Sequence, residues 1–117
     1  MMRVFLVIAA LVFSFPAGAA EGGFTVDELV EACSKCSEDL KTGKRSYECA
    51  FCDGILTGTV STLNLLEGNK SFCPPANLDT HRARNMFRLW AKSHPDDANA
   101  PAVWGALEAM KVSYGCQ

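Results

Sequence analysis

The sequence predicts an all-α protein, a small four-helix domain stapled by disulfides. Three observations carry that expectation. Apolar residues recur at helical spacing in four stretches, and no stretch alternates as a strand would. Turn signals (Gly43, the Gly68/Pro74/Pro75 region, Pro95 and Pro101) separate those stretches. Six cysteines are present, and four of them form two Cys-x-x-Cys pairs within CSKCSEDLKTGKRSYECAFC, residues 33–52.

The chain opens with a segment that reads as an export signal. Arg3 is followed by an unbroken apolar run, Val4 to Phe13, then by Pro16 and the small-residue site Ala17-Gly18-Ala19-Ala20. The run is shorter than the ~20 apolar residues a bilayer span needs. The expected division is therefore a signal peptide over residues 1–20 and one domain over 21–117, exported to the periplasm. Loss of Arg3 takes the formal charge from −2 to −3. There is no basic patch or charge run, which argues against nucleic acid. No second apolar segment is read, so no membrane association is expected after cleavage. In an oxidising compartment an even number of cysteines reads as disulfides, with 15 connectivities open for six.

The first helix is expected from Val26 to Lys41. Thr25 and Glu28 make a capping box, Phe24 can staple onto Leu29, and Gly43 suits the C-terminal end. Val26, Leu29, Val30, Cys33, Cys36 and Leu40 form its apolar stripe. The second helix is expected from Tyr47 to Leu65 behind Ser46. Cys49, Cys52, Leu56 and Leu63 share its buried face, widened by Phe51, Ile55 and Leu66. Gly54 and Gly58 lie on one side of it, where a close helix approach would explain them. The short turn makes these helices antiparallel neighbours, in which positions equidistant from the turn face each other. That geometry predicts the nested bonds Cys36–Cys49 and Cys33–Cys52.

Residues 67–78, EGNKSFCPPANL, form the longest irregular stretch, and Cys73 ties it down. The third helix is expected from Asp79 or Thr80 to Ser93, with Ala83, Met86, Phe87 and Trp90 inward and Arg82, Arg84, Arg88 and Lys92 on its polar side. His94-Pro95 ends it. The fourth restarts at Asn99 or Pro101, with Val103, Trp104, Leu107, Met110 and Tyr114 inward and Gly115 as its cap. Cys116 most simply pairs with Cys73.

Paired Cys-x-x-Cys motifs can hold zinc, but the twelve-residue spacer is short and both pairs follow helical periodicity rather than knuckle turns. Thioredoxin-like redox chemistry needs a helix N-terminus behind a strand, whereas Cys33 falls mid-helix. Covalent haem needs a histidine after the second cysteine, where Ser37 and Asp53 stand. His81 and His94 have no nucleophile or orienting partner proposed by the sequence. Asp96 and Asp97 read as turn residues, and Trp90 and Trp104 as core. No catalytic site, metal or cofactor is expected. The candidate partner-contact surface is the 67–78 loop with the adjoining polar face of the third helix: Asn69, Lys70, Arg84 and Arg88.

The order of FCDGILTGTVSTL (51–63), FCPP (72–75), AKSHPDDANAPAVWGALEA (91–109) and Cys116 resembles the Rap/Tai family of periplasmic immunity proteins. The matching residues are Cys52, Gly54, Ile55, Gly58, Cys73, Pro74, His94, Pro95, Asp96 and Cys116. The chain departs in carrying the additional Cys36 and Cys49, and in ending Gly115-Cys116 where the pattern has Pro-Cys. The resemblance implies an all-helical, often homodimeric domain. It also implies inhibition, by direct binding, of a peptidoglycan amidase toxin delivered by type VI secretion. Two other readings compete: a small periplasmic binding or chaperone-like protein with a non-toxin partner, and a thiol–disulfide oxidoreductase.

Overall fold

The computed structural model describes residues 23–68 and 70–117; the expected signal peptide lies outside the described residues. Local chemistry fixes the helix ends. Helix α1 (Val26–Thr42) starts in the capping box, where Glu28 N–H donates to Thr25 Oγ1 at 3.2 Å and Thr25 N–H to Glu28 Oε2 at 3.3 Å. It stops at Gly43, whose φ of 70° is left-handed and costs glycine little. Helix α2 (Tyr47–Glu67) begins at Ser46, whose Oγ accepts from Cys49 N–H at 3.1 Å. Ser46 in turn donates from its N–H and Oγ to Asp39 Oδ2, at 2.6 and 2.9 Å. The turn is thus fastened to both helices, and α1 and α2 fold back as a hairpin.

Helix α3 (Thr80–Ser93) is capped by Asp79, which accepts from Arg82 N–H at 2.8 Å. Its first half lies beside α2, with Asp79, Thr80 and Ala83 near Thr57, Val60 and Ser61. Its second half lies beside α1, with Arg88, Ala91 and Lys92 near Asp27 and Val30. So α3 crosses the hairpin. A 3₁₀ turn, Pro95–Asp97, leads to α4 (Ala102–Tyr114). No side chain caps α4; its Ala102 N–H donates to the Phe24 carbonyl at 2.8 Å. In exchange, Val26 and Asp27 N–H donate to the Ala100 and Ala98 carbonyls at 2.9 and 3.0 Å. Donors left over at two helix starts are satisfied by each other's approach strands, which sets α1 beside α4.

All four helices contribute to one core, which contains Leu29, Leu56, Phe87 and Met110 together with the fully buried Cys33–Cys52 bond. Each such large apolar side chain contributes roughly 1.5–3 kcal/mol through its removal from water. The irregular stretch between α2 and α3 adds Phe72, which is buried although it lies in a loop. The loop pairs with the chain end: Cys73 N–H donates to the Tyr114 carbonyl at 2.8 Å and Cys116 N–H to the Ser71 carbonyl at 3.2 Å. The Cys73–Cys116 disulfide locks this pairing.

Several expectations fail in instructive ways. Leu40, expected on the α1 stripe, is 81% exposed, because α1 outruns the core in its last turn. Leu66 is exposed for the same reason at the end of α2. Val103 and Trp104 are also exposed; α4 turns the small Ala102, Gly105, Ala106 and Ala109 inward in their place, beside Met110, which is buried as expected. Small side chains let α4 come close, and at Gly105 a Cβ would collide with Val26 Cγ2. The close approach expected at Gly54 and Gly58 is absent: a Cβ at either would meet nothing within 4 Å. Gly115 does not form a left-handed cap but continues extended, at φ −61° and ψ 145°, bridged to Phe72. By length and composition α2 is apolar enough to cross a membrane, although no second apolar segment was expected. Here it carries the ion-paired Asp53 and is bonded to α1 through Cys49 and Cys52.

Candidate functional site

The polar centre of the molecule is a carboxylate that sequence reasoning missed. Asp53 follows Cys52 on α2, and the pitch of the helix turns it toward α3 beneath the surface. Its Oδ1 accepts from Arg84 Nη1 at 2.6 Å and its Oδ2 from Arg45 Nη2 at 2.9 Å. A buried carboxylate is costly unless paired and hydrogen-bonded, and here two guanidiniums from different elements meet that need. Arg84 is itself largely buried, whereas Arg45 keeps 63% of its side chain exposed. One warning was available in the sequence. Asp53 stands four residues after Cys49, on the face that the cysteines mark as buried.

The cysteines pair as Cys33–Cys52, Cys36–Cys49 and Cys73–Cys116. Cys36, Cys49 and Asp53 present three ligand-type atoms within 4.8 Å of one another. The group does not suit a cation. Thiolates, not disulfide sulfurs, bind metals, and the carboxylate is already shared between two arginines.

The proposed contact residues do not form one surface. Asn69 lies outside the described residues. Lys70 is exposed, and its N–H donates to the Glu67 carbonyl just beyond α2. Arg84 meets α2 at Asp53, so the helical rise separates the two regions by about 20 Å along α2. Arg88 is exposed and lines a cleft of about 610 Å³ between α1 and α3, with Asp27, Val30, Asn85, Leu89 and Lys92. A neighbouring cleft of about 330 Å³ lies at the hairpin end, where Leu40, Lys44, Arg45 and Arg84 surround the Cys36–Cys49 bond. Arg84 and Arg88 are one helical turn apart, so the two clefts adjoin along this edge of α3.

The remaining candidates have structural partners. His81 Nε2 lies 3.3 Å from Asn85 Nδ2. His94 Nδ1 lies 2.7 Å from the Trp90 carbonyl, and its ring stacks on the Trp90 indole with centroids 4.5 Å apart. Trp104 meets the same indole edge-on at 6.0 Å. Asp96 and Asp97 sit in the 3₁₀ turn. Burial raises the Tyr114 phenol above its ordinary pKa; Arg82 partly offsets this, and Asp79 adds to it.

No curated protein and no solved structure matches the chain. A family model described as Rap1a immunity proteins matches residues 25–116, the whole helical domain from the capping box to the last disulfide. The chain therefore belongs to the Rap1a immunity protein family.

Proposed function

We propose that this protein is a periplasmic inhibitor that binds a peptidoglycan amidase delivered by type VI secretion and blocks its activity. The family match over residues 25–116 carries the reading, since an immunity protein acts by binding a secreted effector. The build of the molecule supports it. Three disulfides suit an oxidising compartment, and a rigid stapled scaffold binds with little ordering cost. The titratable side chains described above serve caps, stacks and ion pairs rather than a nucleophile–base arrangement.

The test is a pull-down with tagged mature protein (from Glu21) in secreted and periplasmic fractions of its source. One stoichiometric cell-wall hydrolase should be recovered. Recovery of many unrelated unfolded clients would instead favour a chaperone-like role, and activity in insulin reduction would favour an oxidoreductase.

A further inference from the structure

We propose that the paired clefts between α1, α3 and the hairpin turn are the docking surface for an acidic segment of the effector. The inference rests on the immunity reading above but adds the place and the chemistry of contact.

The chain as a whole is acidic, with 13 acidic and 11 basic residues. Yet the two clefts gather Lys44, Arg45, Arg84, Arg88 and Lys92 against Asp27 and Asp39. Asp39 keeps its charge, since Ser46 donates to it as a neutral group, and the adjoining Asp53 is shared by Arg45 and Arg84, so five cations face three carboxylates. Among the described residues, Lys44, Arg88 and Lys92 have no carboxylate in ion-pair range. Three carboxylates, Glu28, Glu31 and Glu48, instead line a different depression, beside Lys35. Such segregation steers an anionic partner toward one face and away from another.

The clefts are concave, about 610 and 330 Å³, and carry uncovered apolar side chains beside the cations, Leu89 (57% exposed) and Leu40 (81% exposed). Apolar anchors rimmed by arginine are the composition of an interface centre. The Asp53 clamp fixes Arg84 at the junction of the clefts, so part of the cationic wall is ordered before binding. The matching occupant is a segment with carboxylates spaced to meet Arg88, Lys92 and Lys44 and an apolar residue between them.

The surface is tested with the full mature chain in two arms. In the first, a synthetic helical peptide with Glu at i, i+4 and i+8 and Leu between them is titrated while backbone amide shifts are followed. Shifts should concentrate in residues 27–45 and 84–92, weaken with added salt, and vanish with a Gln-for-Glu peptide. Shifts elsewhere, no shifts, or equal binding of the Gln peptide overturn the proposal. In the second arm, the hydrolase recovered by wild-type protein is titrated with R88E/K92E and with K111E, which is remote from the clefts. The expected result is a loss of at least about tenfold in affinity for R88E/K92E, with K111E little changed. Equal binding by wild type and R88E/K92E overturns the docking surface while leaving the immunity function intact. Failure of wild-type protein to bind any hydrolase removes the immunity function, and the peptide arm then decides the surface alone.

Discussion

Three glycines, all inside helices, respond oppositely to the same substitution. Alanine is about 1 kcal/mol better than glycine in a helix interior. At Gly54 and Gly58 an added Cβ meets nothing within 4 Å, so nothing offsets the gain. G54A and G58A should each stabilise by up to about 1 kcal/mol, and the pair by up to about 2. For a domain of this size each 1 kcal/mol raises Tm by roughly 4–8 °C. At Gly105 the new methyl would overlap Val26 Cγ2, which belongs to a buried β-branched side chain, while meeting the Trp90 ring at an ordinary 3.4 Å. Overpacking costs roughly 1–3 kcal/mol. Set against the propensity gain, G105A should be destabilised by up to about 2 kcal/mol. Far-UV circular dichroism during urea and thermal unfolding reads all three, with an unchanged m-value certifying a two-state comparison. A destabilised G58A would refute the reasoning, because it would mean that the exposed face of α2 is covered in the folded protein. A G105A stabilised by as much as G54A and G58A would refute the close packing of α4 on α1.

Other perturbations separate the supports of the fold. D53N strips the counter-charge from the largely buried Arg84 and should cost about 2–3 kcal/mol, whereas R45A, losing an exposed partner, should cost less than about 1 kcal/mol by urea unfolding. The Cys73–Cys116 bond, at a sequence separation of 43, closes the longest loop, so C73S/C116S should cost about 4 kcal/mol in the chain-entropy model. Cys36–Cys49 lies inside the loop already closed by Cys33–Cys52, so C36S/C49S should cost well under the ~3 kcal/mol expected for an isolated loop of its length. Tyr114, with its pKa raised on folding, contributes stability that is complete below its unfolded value of 10.0 and is lost as pH rises through the folded value. Unfolding above pH 10 should therefore begin later in Tyr114→Phe than in wild type.

Much of this structure was legible because it is local. Thr25 with Glu28, Gly43, Ser46 and Asp79 each act within a few residues, and a short turn makes the facing cysteines follow from counting. What escaped was long-range. Asp53 and Arg84 lie 31 residues apart, and no pattern in either helix announces the other. In α4 both faces are apolar, so periodicity alone could not choose between the bulky Val103 and Trp104 and the small Ala102, Gly105, Ala106 and Ala109. Close approach to α1 chose the small ones. The same ambiguity put the tight contact at Gly54 and Gly58 rather than at Gly105. In the site, Arg88 and Arg84 were legible as candidates, but their separation from Lys70 depends on how α3 crosses the hairpin.

The most direct test of the central claim is turbidity clearance of purified peptidoglycan by a hydrolase recovered in the pull-down. Mature protein is titrated into a fixed amount of enzyme. Inhibition of an immunity type predicts a linear fall in activity to near zero at a simple stoichiometric ratio, with no covalent change to either chain. Undiminished hydrolysis in the presence of excess protein would contradict it and leave a helical binding protein with another partner.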